Sequence, residues 1–167
     1  RRGVHVLSFE LSEDQKTLVD TVAKFTKSAI TPIAAKHDEE STFPKDVYTE
    51  AWKLGIVAPM IPAEYGGTGA SAIDQCLITE ELAYGCTGIQ TSISCAALAA
   101  TPIEISGNEA LKKKYLGWMA KEPVYCSYAL TESGAGSDAA GLQTRAVKDG
   151  SDWVLNGEKC FITNGSF

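Results

Sequence analysis

Residues 129–141 read ALTESGAGSDAAG, and the residues after this glycine loop decide the fold. Glycines let a backbone take left-handed turns and come close to a ligand. Pattern alone leaves two readings open, a ligand-binding loop or a structural cluster of β-turns. Gly134, Gly136 and Ala139 satisfy the spacing G-x-G-x-x-[G/A], and the apolar run VYCSYAL precedes them. A dinucleotide fingerprint, however, needs a helix opening at the loop, so that its N-terminus faces pyrophosphate. Here Gly141 comes next, and then Leu142, Thr144 and Ala146 alternate with Gln143, Arg145 and Val147, the two-residue repeat of a strand. The loop therefore opens a sheet. WVLNGEKCFITNG, residues 153–165, adds two strand-like runs around Asn156-Gly157, a type I′ hairpin signal, and closes on a second Asn-Gly.

Upstream of Pro123 the period is helical. Ser12 and Gln15 form a capping-box pair, after which Leu18, Val22, Phe25 and Ala29 make one apolar stripe. This helix is expected to reach Ile30, with Pro32 kinking it. A second helix is expected from about Pro44, burying Val47, Ala51 and Leu54 before Gly55 stops it. IPAEYGGTG, residues 61–69, is too rich in Pro and Gly to be helical. Ser71 and Asp74 cap a third helix running to about Gly85, with Ile73, Cys76 and Leu77 on its inner side. From Ile89 to Ile105 residues are apolar or small all round, the composition of a helix enclosed by other helices. Asn108 starts a fifth, with Leu111, Tyr115 and Trp118 on one face and Lys112–Lys114 on its solvated side. The fold class is thus α+β: an all-α helical bundle over residues 1–122, then the first strands of an antiparallel β-domain over 123–167.

Composition narrows the function. The 167 residues are 44% hydrophobic, enough for a substantial core, and carry a formal net charge of −6. An acidic balance offers no field for phosphate backbones, so nucleic acid is a poor partner. Cys76, Cys86, Cys95, Cys126 and Cys160 form no CxxC pair and no His-linked metal spacing, and read as reduced core thiols. No segment approaches the apolar length that spans a bilayer, and Arg1-Arg2 is not followed by a signal-peptide apolar stretch. Ser137 sits in G-S-D-A rather than G-x-S-x-G, the histidines are His5 and His37, and the P-loop lysine is missing. Glu132 and Asp138 leave two readings open, a carboxylate pair able to supply a base, or caps and backbone ligands that hold the loop.

YALTESGAGSDAAG followed by WVLNGEKCFITNG resembles the paired flavin motifs of the acyl-CoA dehydrogenases. The likeness continues through ITEELAYGCTGIQT (78–91), GNEALKKKYL, KEP and the LSEDQ start, covers nearly the whole chain, and is nearest the medium-chain type. The resemblance implies an N-terminal helical domain (1–122) and the start of the middle β-domain (123–167). It implies FAD as cofactor and α,β-dehydrogenation of a fatty acyl-CoA, with electrons passing to an electron-transferring flavoprotein. Tyr128, Ala129, Leu130 and Thr131 would line the flavin ring, Gly136 and Ser137 would meet the cofactor pyrophosphate, and Phe161, Ile162 and Thr163 would cover the other side of the ring. Ser137 would also touch the coenzyme A portion of the substrate.

The same resemblance implies that Gln90, Ser94 and Leu98, at four-residue spacing on one helix face, line an acyl channel; plain core is the alternative for Leu98. Phe161 stands where the medium-chain members carry Trp, Ser94 where they carry Glu, and Cys95 and Ala99 where they carry glycines. The family's catalytic glutamate belongs to a C-terminal helical domain, so the resemblance implies no catalytic residue among these 167 and an inactive segment in isolation. It further implies a homo-oligomer in the mitochondrial matrix, or in the cytoplasm of a bacterium. A non-catalytic helical interaction module and an acyl-CoA oxidase-like enzyme are the rival readings.

Overall fold

The computed structural model describes residues 9–167, so His5 and the Arg1-Arg2 start lie outside the described residues. Six α-helices precede one two-stranded antiparallel sheet: α1 (Glu13–Phe25), α2 (Ala34–Glu40), α3 (Lys45–Lys53), α4 (Ala72–Gly85), α5 (Thr87–Ser106), α6 (Glu109–Lys121), β1 (Arg145–Asp149) and β2 (Asp152–Asn156).

Helix starts follow the capping chemistry. The Ser12 hydroxyl accepts from the Gln15 N–H while the Gln15 side chain accepts from the Ser12 N–H; Ser71 and Asp74 repeat the arrangement on α4, and the Asn108 side chain caps α6. Gln15 then reaches across, its Nε2 donating to Asp74 Oδ1 at 3.0 Å, so the two capped ends hold each other. α1 continues as a π-helical segment, Thr26–Ile30, and ends there. Pro32 has no N–H to offer and its ring crowds the carbonyl four residues back, which stops the helix where the sequence places the kink. α2, which the apolar pattern does not announce, has no buried residue.

Two adjoining clusters make the core. One gathers Val22, Ile30, Val47, Tyr48, Ala51, Ile78, Leu82, Ile89 and Ile93 between α1, α3, α4 and α5. The other packs Ala96, Ala100, Leu116 and Met119 against Ala58, Ile61 and Tyr65 of the 54–70 connector. Each fully buried aliphatic residue contributes roughly 1.5–3 kcal/mol. The Tyr65 hydroxyl donates to Glu109 at 3.0 Å, and burial, with that carboxylate beside it, pushes its pKa up to about 12.

Several expected inner faces are corrected. On α3, Tyr48 is buried and Leu54 is exposed. On α4 the inner residues are Ile78 and Leu82, whereas Ile73 is 61% exposed and Cys76 is on the surface. On α6 they are Leu116 and Met119, while Leu111 and Trp118 are exposed. The α4 and α6 faces are each rotated by about one residue, an ambiguity that arises because apolar residues lie on more than one side of these helices. α5 buries Ile89, Ile93, Cys95, Ala96 and Ala100 but exposes Leu98 and Ile105, so it is not enclosed on every side.

The hairpin is also moved. Its turn is Gly150-Ser151, with Asp149 paired to Asp152 and Gly150 at φ +59°, not Asn156-Gly157, which ends β2 opposite Arg145. The run after Gly157 is not a strand; it folds back as turns toward α5. Both faces of β1 and β2 are exposed.

Candidate flavin-facing site

The glycine loop is closed by its own backbone. Glu132 and Ala135 exchange two N–H···O bonds of 3.1 Å, making a tight turn whose Gly134 and Gly136 face open space. Ala139–Gly141 is a single 3-10 turn and leads to β1, so no helix opens at the loop.

Glu132 is the hub. Its side chain is buried and accepts from the Gln143 N–H at 2.6 Å, the Thr144 N–H at 3.0 Å and the Lys159 ammonium at 2.8 Å. Lys159, then the neighbouring donors, hold its carboxyl well below the usual range, at about 2. The carboxylate is therefore a structural anion, as its reading as a backbone ligand anticipated; Asp138 takes part through its carbonyl, which accepts from Gly141 N–H. Lys159 also donates to the Leu130 carbonyl at 2.8 Å, and Cys160 N–H donates to the Thr131 carbonyl at 3.0 Å. The two motifs read from the sequence thus lie side by side.

The second motif is anchored to the helices. Asn164, at φ +61°, donates through Nδ2 to the Ser92 carbonyl of α5 at 2.9 Å, and the Cys95 thiol donates to the Thr163 carbonyl at 3.6 Å. Burial pushes the Cys95 and Cys126 thiols up, which keeps them protonated and inert. Phe161, at φ +56°, is held out of the surface with 93% of its area exposed. Of the flavin-facing candidates, Tyr128, Ala129, Gly136 and Ser137 are exposed, and Leu130, Thr131, Ile162 and Thr163 half-buried.

Gln90, Ser94 and Leu98 line one cavity of about 280 Å³ between α4, α5 and the connector, together with Ile56, Met60 and Ile78. Gln90 Nε2 donates to Ser94 Oγ at 2.7 Å, which supplies the partner that two polar residues on an apolar helix require. Leu98, 58% exposed, is not core.

Sequence reading missed Lys159 and Asn164. The N-G-E-K run carries a turn signal that points to Asn156-Gly157, and no local pattern pairs Lys159 with a glutamate 27 residues earlier. Among the described residues no His/Cys/Asp/Glu group has metal-site geometry, and no helix is long and apolar enough to cross a membrane.

A helical bundle thus leads through the glycine turn into an antiparallel hairpin. Residues 12–123 match the model of the acyl-CoA dehydrogenase N-terminal domain and residues 127–167 that of the middle domain. The chain belongs to the acyl-CoA dehydrogenase family, a family of oxidoreductases. It is 46% identical over 159 residues, 95% of its length, to the probable medium-chain specific acyl-CoA dehydrogenase 2, mitochondrial, of Caenorhabditis briggsae. Among solved structures it is similar to butyryl-CoA dehydrogenase from Megasphaera elsdenii (TM-score 0.86, 33% identity, 95% of this chain). It is also similar to acyl-CoA dehydrogenase complexed with FAD from Bacillus anthracis (TM-score 0.87, 32% identity, 97% of this chain). The chain spans 39%, 43% and 28% of those three proteins respectively.

Proposed function

We propose that this chain is the N-terminal portion of an FAD-dependent enzyme that introduces an α,β double bond into a fatty acyl-CoA. One observation carries the reading: the Leu130–Thr131 segment and the Lys159–Cys160 segment are joined by two hydrogen bonds and leave polar groups unspent beside them. No described residue accepts from the Thr131 N–H, and the Asn164 Oδ1 atom is buried without a partner. Open space above Gly134 and Gly136 admits a bulky group against bare backbone.

On this reading the chain's residues would hold and orient FAD, which would supply a hydride acceptor for the β-hydrogen. Tyr128, Ala129, Leu130 and Thr131 would hold one side of the ring and Phe161, Ile162 and Thr163 the other, while Gly136 and Ser137 would hold the pyrophosphate. Fixed N–H donors stabilise charge that develops on a reduced ring better than mobile water does. Gln90, Ser94 and Leu98 receive the acyl chain, and Ser137 the coenzyme A. Glu132 is not the base that removes the α-proton, because its carboxylate is already committed to Lys159 and two backbone donors. We assign residues 1–122 to the helical domain and 123–167 to the β-domain, with electrons leaving to an electron-transferring flavoprotein, in a homo-oligomer of the mitochondrial matrix or a bacterial cytoplasm.

The test is spectroscopic. The full-length protein should be purified yellow and its flavin bleached by acyl-CoA under anaerobic conditions. A colourless protein that takes up no added FAD would overturn the proposal in favour of a helical interaction module, and peroxide release in place of transfer to a flavoprotein acceptor would favour an oxidase.

A further inference from the structure

We infer that Lys159 acts through the Leu130–Thr131 peptide as a fixed positive charge that tunes the bound flavin, with Glu132 setting its strength. The inference rests on the proposed flavin site and adds a role that no motif assigns to Lys159.

The geometry is a short relay. Lys159 Nζ donates to the Leu130 carbonyl at 2.8 Å and to Glu132 Oε1 at 2.8 Å. The Leu130 C=O and the Thr131 N–H belong to one peptide plane, and among the described residues every peptide is trans, so the N–H points away from Lys159. A cation on the carbonyl draws electron density through that plane and makes the opposite N–H a stronger donor. That N–H has no acceptor among the described residues. It is available to an electron-rich ring atom, and its donation grows in worth as negative charge builds there. Lys159 is only 23% exposed at its side chain, so solvent screens it weakly.

Glu132 moderates the effect. Its carboxylate neutralises part of the Lys159 charge, and its bonds to Gln143 and Thr144 fix the ammonium in place against the start of β1. Removing the two charges should therefore move the flavin in opposite directions, whereas loss of structure alone would move it the same way in both variants.

The measurement is the midpoint potential and Kd of FAD in the full-length protein. Lys159→Met is expected to lower the potential and weaken FAD binding by roughly three- to tenfold. Lys159→Arg should restore both toward wild type, and Glu132→Gln should raise the potential. Flavin bound with an unchanged potential in Lys159→Met, or with potentials that fall in both charge-removing variants, overturns this inference alone. If Lys159→Met does not fold, the sign of the Glu132→Gln shift decides the question. A wild-type protein that binds no flavin overturns the proposed function and this inference together.

Discussion

The Tyr48 hydroxyl donates to the Val124 carbonyl at 2.8 Å, fastening α3 to the segment that leaves the helical bundle. Tyr48 is 1% exposed and sits against Phe43 and Tyr125, with ring centroids 6.2 and 4.7 Å away. Phe43 in turn stacks on Phe167 at 4.3 Å, so a single aromatic group joins α3, residue 125 and the last residue of the chain. Burial raises the Tyr48 phenol far above its ordinary pKa, so it donates throughout the physiological range.

Tyr48→Phe keeps the ring and orphans the Val124 carbonyl. The expected loss is about 1–2 kcal/mol in urea unfolding, the cost of one unmade hydrogen bond and a desolvated acceptor. A loss within error would show that water replaces the hydroxyl.

Gly85, the last residue of α4, is a packing glycine. A Cβ there would lie 2.5 Å from Thr26 Cγ2 and 3.2 Å from Ile30 Cγ2 of the π-helical segment. Alanine is ordinarily better than glycine in a helix by about 1 kcal/mol, so the sign of Gly85→Ala measures which effect wins. Destabilisation by about 1–3 kcal/mol is expected, because Thr26 is 2% exposed and has no room to yield. The Thr26 hydroxyl is buried without a partner, so Thr26→Ala removes both the clash and an orphan polar atom. In a double-mutant cycle the pair should couple favourably; additive losses would place the strain elsewhere.

How much of this was legible in the sequence depends on how local each signal is. The capping box at Ser12–Gln15, the caps at Ser71 and Asp74 and the strand period after Gly141 are written within a few neighbouring residues, and all appear; at Pro32 the helix ends where a kink was expected. The burial faces of α4 and α6 are set by partners far along the chain, and for helices with apolar residues on several sides the sequence leaves the rotation undetermined. The hairpin shows the same limit. Asp149-Gly150 and Asn156-Gly157 are equally good turn signals, and the register of β1 against β2 chooses the first. At the site, the glycine loop was visible as a motif, but its attachment to the second motif depends on Lys159 meeting Glu132 across 27 positions.

Leu98 separates channel from core. With 58% of its surface exposed, Leu98→Ala should change unfolding free energy by no more than about 0.5 kcal/mol. On the proposed reading the same position lines the acyl cavity with Gln90 and Ser94, so Leu98→Trp, which fills part of its roughly 280 Å³, should depress kcat/KM most for the longest acyl-CoA accepted. A uniform change across chain lengths would remove Leu98 from the acyl site while leaving the stability result intact.

The Glu132 anchor makes stability depend on acid. Its carboxyl is held at about 2 in the folded protein against an ordinary 4.5, chiefly by the Lys159 ammonium. A depressed folded pKa means that the stabilisation is fully present above about pH 4.5 and is lost as pH falls toward 2, because the unfolded chain takes up the proton first. Asp74, lowered by its Ser71 and Gln15 partners, adds to the same trend, so the wild-type slope alone does not isolate Glu132. Comparison with Glu132→Gln does. Thermal midpoints of the two proteins should differ most near neutral pH and converge between about pH 4.5 and 2, since the variant has no proton to gain at this position. Curves that run parallel across that window would show that the ion pair contributes nothing to folding, and that the loop is held by its turn, the Lys159 bond to the Leu130 carbonyl and the Cys160 bond to Thr131.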